Sequence, residues 1–149
     1  MDTGQTRSPT APFGRTGEHV RRARLALEVV GVYARVRWLV LRHGAVPAVA
    51  VIRDDYRTRS TLESGTGRLR LGMHYSRVVV RALRLLPTDS RCLMRSLVLT
   101  AMLARHGVPA TVVIGVRSEP AFGAHAWVEV DGHVLLPESE DAYRRLVEL

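Results

Sequence analysis

The chain has 149 residues, a net charge of +8 with a pI near 11.1, and 46% hydrophobic content, enough to bury one core as a single compact domain. Its one cysteine excludes an internal disulfide, and residues 1–17 hold no apolar core of a secretory signal, which makes the cytoplasm the default compartment. The 22 basic residues are all arginine, a pattern that a GC-rich genome explains; they are scattered, and no zinc-finger, helix-turn-helix or RNA-binding signature accompanies them, which argues against nucleic acid and favours an acidic peptide or its carrier.

In chain order, residues 1–17 read as a disordered tail. Residues 18–86 form a helical region. Its first helix runs from Glu18 to His43, with Leu25, Val29, Val32, Val36, Leu39 and Val40 on one apolar face, interrupted only by Gly31. Glu28, Arg35 and Arg37 within that stretch disfavour a membrane span. Trp38 and its flanking arginines suit a membrane surface, but a helix that covers the core is the favoured reading. Ala45–Ile52 is an apolar run without a decisive period, and Arg53–Gly67 reads as a loop or linker. Helical spacing resumes over Leu69–Leu86 through Leu71, Tyr75, Val78, Val79, Ala82 and Leu85, and Pro87 ends it. His74 reads as a packing or surface residue, and His106 as a cation at a helix C-terminus. His19 and His43 lie near the ends of the first helix. No cluster has metal-ligand spacing, so neither a metal nor another cofactor is expected.

Residues 87–149 carry the chemistry. Thr88, Asp89 and Ser90 are good N-cap residues, and Leu93, Leu97, Thr100, Ala101 and Ala104 follow at helical spacing until Gly107 and Pro109. Cys92 therefore falls in a first helical turn. There the unpaired N–H groups and the macrodipole, with Arg91 and Arg95 beside them, favour the negative charge a thiolate nucleophile carries. A small buried apolar side chain is the alternative reading of the same cysteine.

Ala110–Val116 is a short β-branched run that predicts a buried strand, followed by the loop RSEPAFGA and by the alternating strand HAWVEV from His125 to Val130. Asp131-Gly132 is a two-residue hairpin signal. It sets Val130 opposite His133 and, by constant position sum, His125 opposite Glu138. Cross-strand partners share a face, so Glu138 is the candidate acid that orients His125, with Glu140, Asp141 and Asp131 as alternatives. His133 then falls on the other face of the hairpin. Trp127, two residues along the face of His125, lines a cleft or fills the core; Trp127, Phe122 in the loop entering at His125, and Arg95 are the candidate substrate-binding residues. The backbone N–H of Cys92 is the natural first oxyanion donor.

The run Cys92-Leu-Met-Arg95-Ser96 on a helix, the strand with Gly115, and then HAWVEVDG from His125 to Gly132 resemble the transglutaminase-like cysteine proteases, and more narrowly the stand-alone leader peptidases of lasso peptide biosynthesis. The resemblance is strongest over residues 87–149. It implies an α+β fold, with a helical N-terminal half packed on a papain-like core in which a cysteine-bearing helix precedes a small antiparallel sheet. It also implies that Cys92 attacks the bond between leader and core peptide, with His125 as general base and then acid. In such enzymes the third member is usually an aspartate on the next strand; here that place holds Pro137 followed by Glu138, a departure from the pattern. The implied partners are the precursor's leader peptide, a small leader-recognition protein and an ATP-using lasso cyclase, with this chain as a monomer in transient complexes. Transglutaminase-like acyl transfer, amide hydrolysis and a non-catalytic peptide-binding module are the alternatives the same fold supports.

Overall fold

From Ser96 to Ala104 the helix Arg91–Arg105 is buried on every side, which requires other elements to cover it all round. Met94 and every residue from Ser96 to Ala104 are buried. The computed structural model describes residues 14–57, 65–84, 91–136 and 143–149. Its helices are α1 (Gly14–His43), α2 (Ala45–Arg57), α3 (Thr66–Leu83) and α4 (Arg91–Arg105), and its strands β1 (Thr111–Arg117), β2 (Gly123–Val130), β3 (His133–Val134) and β4 (Arg144–Glu148). The fold is α+β: α1, α2 and α3 pack on α4, and an antiparallel sheet of order β3-β2-β1-β4 packs on it from the other side.

Local sequence explains each element. In α1 the expected stripe is buried at Val29, Val32, Val36 and Leu39, with Leu25 and Val40 packed at its margin. The helix also takes in Gly14–Gly17, which the composition assigns to the tail. Gly44 closes it at φ 85, with its N–H donating to the Val40 carbonyl at 2.9 Å, a left-handed cap that glycine reaches without Cβ strain. The undecided run at Ala45 is helical. Pro47 falls in the first turn of α2, where its missing N–H costs no hydrogen bond, and Ala48, Val49 and Ile52 are buried at i, i+1, i+4 spacing. The expected loop from Arg53 is thus helix as far as Arg57, and α3 starts before its end, at Thr66.

The end of α4 is a Schellman motif, with Val108 N–H to Leu103 O at 2.9 Å and Gly107 N–H to Ala104 O at 3.1 Å, and with Gly107 at φ 71, which satisfies carbonyls the last turn would leave unpaired. Glu28 of α1 lies 3.3 Å from Arg105 and 3.5 Å from His106. The His106 ring stacks on Tyr75 of α3 at 4.5 Å, so this histidine joins three helices where the sequence suggests only a C-terminal cation.

In the sheet, the face toward α4 carries Val112, Val128 and Val130 from alternate positions. The opposite face carries Val113 paired with Trp127, and Gly115 paired with His125. A Cβ on Gly115 would stand 2.8 Å from the Trp127 ring and 3.0 Å from Tyr143 Cβ, so the indole lies across the strand where a side chain would be.

Two outcomes follow. Gly115→Ala is expected to destabilise the fold by about 1–3 kcal/mol through overpacking, read as a lower midpoint in urea unfolding. Burial, and secondarily the charge of Glu28, pushes the Tyr75 hydroxyl above its ordinary pKa of 10.0. The unfolded chain therefore loses this proton first, and the stability Tyr75 contributes is present below pH 10 and declines as pH rises beyond it. Unfolding free energies measured on either side of pH 10 should fall less steeply in Tyr75→Phe than in the wild type.

Candidate active site

Cys92 is the second residue of α4, half-buried and a free thiol. Its backbone N–H is one of the four that a helix start leaves without an intrahelical partner. Thr88, Asp89 and Ser90, the expected caps, lie outside the described residues. His125 is the third residue of β2. Cys92 and His125 both border one cavity of about 220 Å³, with Arg95, Ala126, Leu135 and Leu136, and with Ser76, Arg77 and Val80 contributed by α3.

Two buried hydroxyls hold these walls in register. Ser96, one helical turn beyond Cys92, donates its hydroxyl hydrogen to the Ala126 carbonyl at 3.0 Å, tying the start of α4 to the residue after His125. Ser76 of α3 donates to the Leu135 carbonyl at 2.6 Å. Gly72, one turn earlier on α3, admits the Leu135 side chain: a Cβ there would lie 2.8 Å from Leu135 Cδ1. Strand β3 pairs only Glu129 and Val130 of β2, and the chain bends at Leu135 and Leu136. The cavity lies beside His125 and Ala126 of β2.

Aromatic rings set the plane of the imidazole. His125 stacks against Trp127 with ring centroids 6.1 Å apart at 20°, and lies 5.3 Å from the ring of Tyr143. The guanidinium of Arg117 sits 5.2 Å from the Tyr143 ring centroid, a cation–π contact on the far partner. His125 Nε2 is buried and has no hydrogen-bond partner among the described residues. Trp127 Nε1 donates to Glu129 Oε1 at 2.9 Å, and Arg145 of β4 donates to the same oxygen, which fixes the indole against which the histidine rests.

Cys92, Arg95 and His125 thus stand together on one cavity. Trp127 is not among the residues that line it: at 3% exposure, its ring lies across Gly115 and against His125. Phe122 is 80% exposed and also lies off the cavity wall. The hairpin turn has the expected register, with Asp131 and Gly132 at φ 49 and 76, Val130 opposite His133, and Leu135 N–H donating to Val128 O at 2.9 Å. Glu138 lies outside the described residues, as do Glu140 and Asp141. Asp131 sits at the far end of β2, six residues or about 20 Å of strand from His125, and is directed to Arg68 at 3.4 Å; it cannot orient the imidazole. Tyr143 and the α3 residues Ser76, Arg77 and Val80 are contributors that the sequence reading passes over. Spacing on α3 marks its apolar face, but which neighbour that face meets is a long-range matter.

A cysteine opening a helix and a histidine on a nearby strand, bordering one cavity, are the residue types that cysteine-based hydrolases and acyltransferases pair. Family comparison agrees: residues 26–148 match the profile of the Transglutaminase-like superfamily, and the chain belongs to that superfamily. The match takes in most of α1 together with α2, α3, α4 and the sheet, so the family profile spans the helical half as well as the sheet. Membership points to cysteine protease or acyltransferase chemistry. Comparisons with curated proteins and with solved structures found no match.

If the ring contact of Tyr143 holds the imidazole in place, Tyr143→Ala should slow alkylation of Cys92 by a peptide electrophile by roughly tenfold, a misplacement effect. Tyr143→Phe, which keeps the ring, should react at close to the wild-type rate. Stopped-flow or quenched mass spectrometry measures both.

Proposed function

We propose that this chain is a cysteine peptidase that removes the leader peptide from a ribosomally made precursor in lasso peptide maturation. The observation that carries the reading is the common cavity of Cys92 and His125 in a chain of the Transglutaminase-like superfamily. The finer assignment is supported by the Cys92–Ser96 helix motif and the HAWVEVDG strand motif, which resemble the stand-alone leader peptidases. A small leader-recognition protein and an ATP-using cyclase are the proposed partners, one presenting the precursor and the other receiving the freed core.

The chemistry runs through the residues in hand. His125 takes the Cys92 proton, and the sulfur attacks the scissile carbonyl carbon. The tetrahedral oxyanion is met by the Cys92 backbone N–H at the helix start. The carbon–nitrogen bond breaks, His125 returns the proton to the leaving amine, and the leader remains as a thioester on Cys92. His125 then deprotonates a water, which attacks the thioester carbonyl; the leader leaves with a free carboxylate and Cys92 recovers its thiol. Ser96 and Tyr143 act as positioning residues, the first through Ala126 and the second through the imidazole ring. Glu138 is proposed as the acid that orients His125.

The test is mass spectrometry of a candidate precursor incubated with its recognition protein and this chain. Wild type should cut at one junction, Cys92→Ala should leave the peptide intact, and His125→Ala should lower kcat by about 10²–10⁴-fold, the usual share of general acid–base catalysis. Precursor recovered with an amine joined in place of water would move the assignment to acyl transfer. Full turnover by Cys92→Ala would overturn it.

A further inference from the structure

On the side of α3 away from the cavity, α1 and α3 enclose a groove of about 1160 Å³. Its floor is apolar, built from the partly buried Leu25, Val78 and Ala82. Its rim is cationic: Arg21, Arg22 and Arg24 on α1 and Arg81 on α3 all line it. Two carboxylates also line the groove and both are engaged, Glu18 with Arg22, and Glu28 with Arg105 and His106. Among the described residues no ion pair joins the exposed Arg21, Arg24 or Arg81 to a carboxylate.

We infer that this groove binds an acidic amphipathic segment of the peptide substrate, with glutamate or aspartate side chains on the arginine rim and apolar side chains on the Leu25–Val78 floor. Calling that segment part of the substrate rests on the peptidase reading. Charge complementarity selects the occupant: an apolar floor matches alternate side chains of a peptide, which a nucleic acid backbone does not supply. Gly17 to Glu28 spans about 17 Å of helix at 1.5 Å per residue, the reach of roughly five extended residues. The groove and the catalytic cavity lie on opposite sides of α3, Val78, Arg81 and Ala82 facing one and Ser76, Arg77 and Val80 the other. A bound chain must cross the helix, about 10 Å wide, so at least about three residues separate the acidic segment from the bond that reaches Cys92.

The experiment uses the full chain and three fluorescein-labelled probes: a peptide alternating glutamate with leucine, its lysine analogue, and a single-stranded RNA of matching charge. Fluorescence anisotropy should show binding of the glutamate peptide alone, weakened by salt. The variant Arg21→Glu/Arg24→Glu/Arg81→Glu should weaken it by about tenfold or more, from three exposed charge contacts reversed. Arg37→Glu, an exposed arginine outside the groove, should leave it unchanged, and the neutral variant Arg21→Gln/Arg24→Gln/Arg81→Gln should fall between. Circular dichroism verifies folding of each. Equal loss in Arg37→Glu and the triple reversal, no loss in the reversal, or preferential binding of RNA would each overturn the inference. Alkylation of Cys92 by a short peptide electrophile separates the two levels. Rates equal in wild type and the triple variant place the effect in docking. An unreactive Cys92 in a chain that still binds the acidic peptide would overturn the peptidase reading and leave the groove standing as a peptide-binding site.

Discussion

Burial of α4 on all sides is the constraint on which the rest of the structure depends. A helix whose residues from Ser96 to Ala104 are all buried has no face to offer water, so the chain must supply three helices on one side and a sheet on the other. That enclosure fixes the helix start in space, and with it Cys92. Ser96 of α4 meets the sheet through its hydroxyl, on the Ala126 carbonyl, one turn from the thiol. Core packing and the placement of Cys92 are therefore the same event: loosening the first would move the second.

The histidine side of the site depends on small residues as much as on large ones. Gly115 leaves room for the Trp127 ring, Trp127 and Tyr143 bracket His125, and Gly72 lets α3 close on Leu135. The cavity lies where α3 and α4 approach His125 and Ala126 of β2, with Leu135 and Leu136 after β3 completing its wall. The helical half has a structural role throughout: α3 supplies a wall of the cavity, and among the described residues no helix is long and apolar enough to cross a membrane.

Local pattern made much of this legible. The α1 stripe at Val29, Val32, Val36 and Leu39 is period 3.6 read directly, and Asp131-Gly132 sets the hairpin register because both residues take positive φ, as a two-residue hairpin turn requires. Pro47 hid α2, since a proline in an apolar run reads as punctuation although a first helical turn accepts it. Strand β4 was invisible for another reason. RRLVE is short and exposed along its length, and only its pairing with β1, thirty residues earlier in the chain and across a bulge at Ile114 and Gly115, makes it a strand. Tyr143 reaches the site with it, so no local signal marks Tyr143 as a neighbour of His125.

By itself the sequence determined that a cysteine opens a helix, that a histidine stands on an alternating strand, and that a tight turn follows that strand, because capping, alternation and turn chemistry act within a few residues. Only the tertiary structure decided that Cys92 and His125 border one cavity, that Trp127 does not line it, and that Arg21, Arg24 and Arg81 border one groove. Those facts depend on which apolar faces meet across the chain, and on Ser96, Gly115 and Gly72 allowing the elements to approach closely enough.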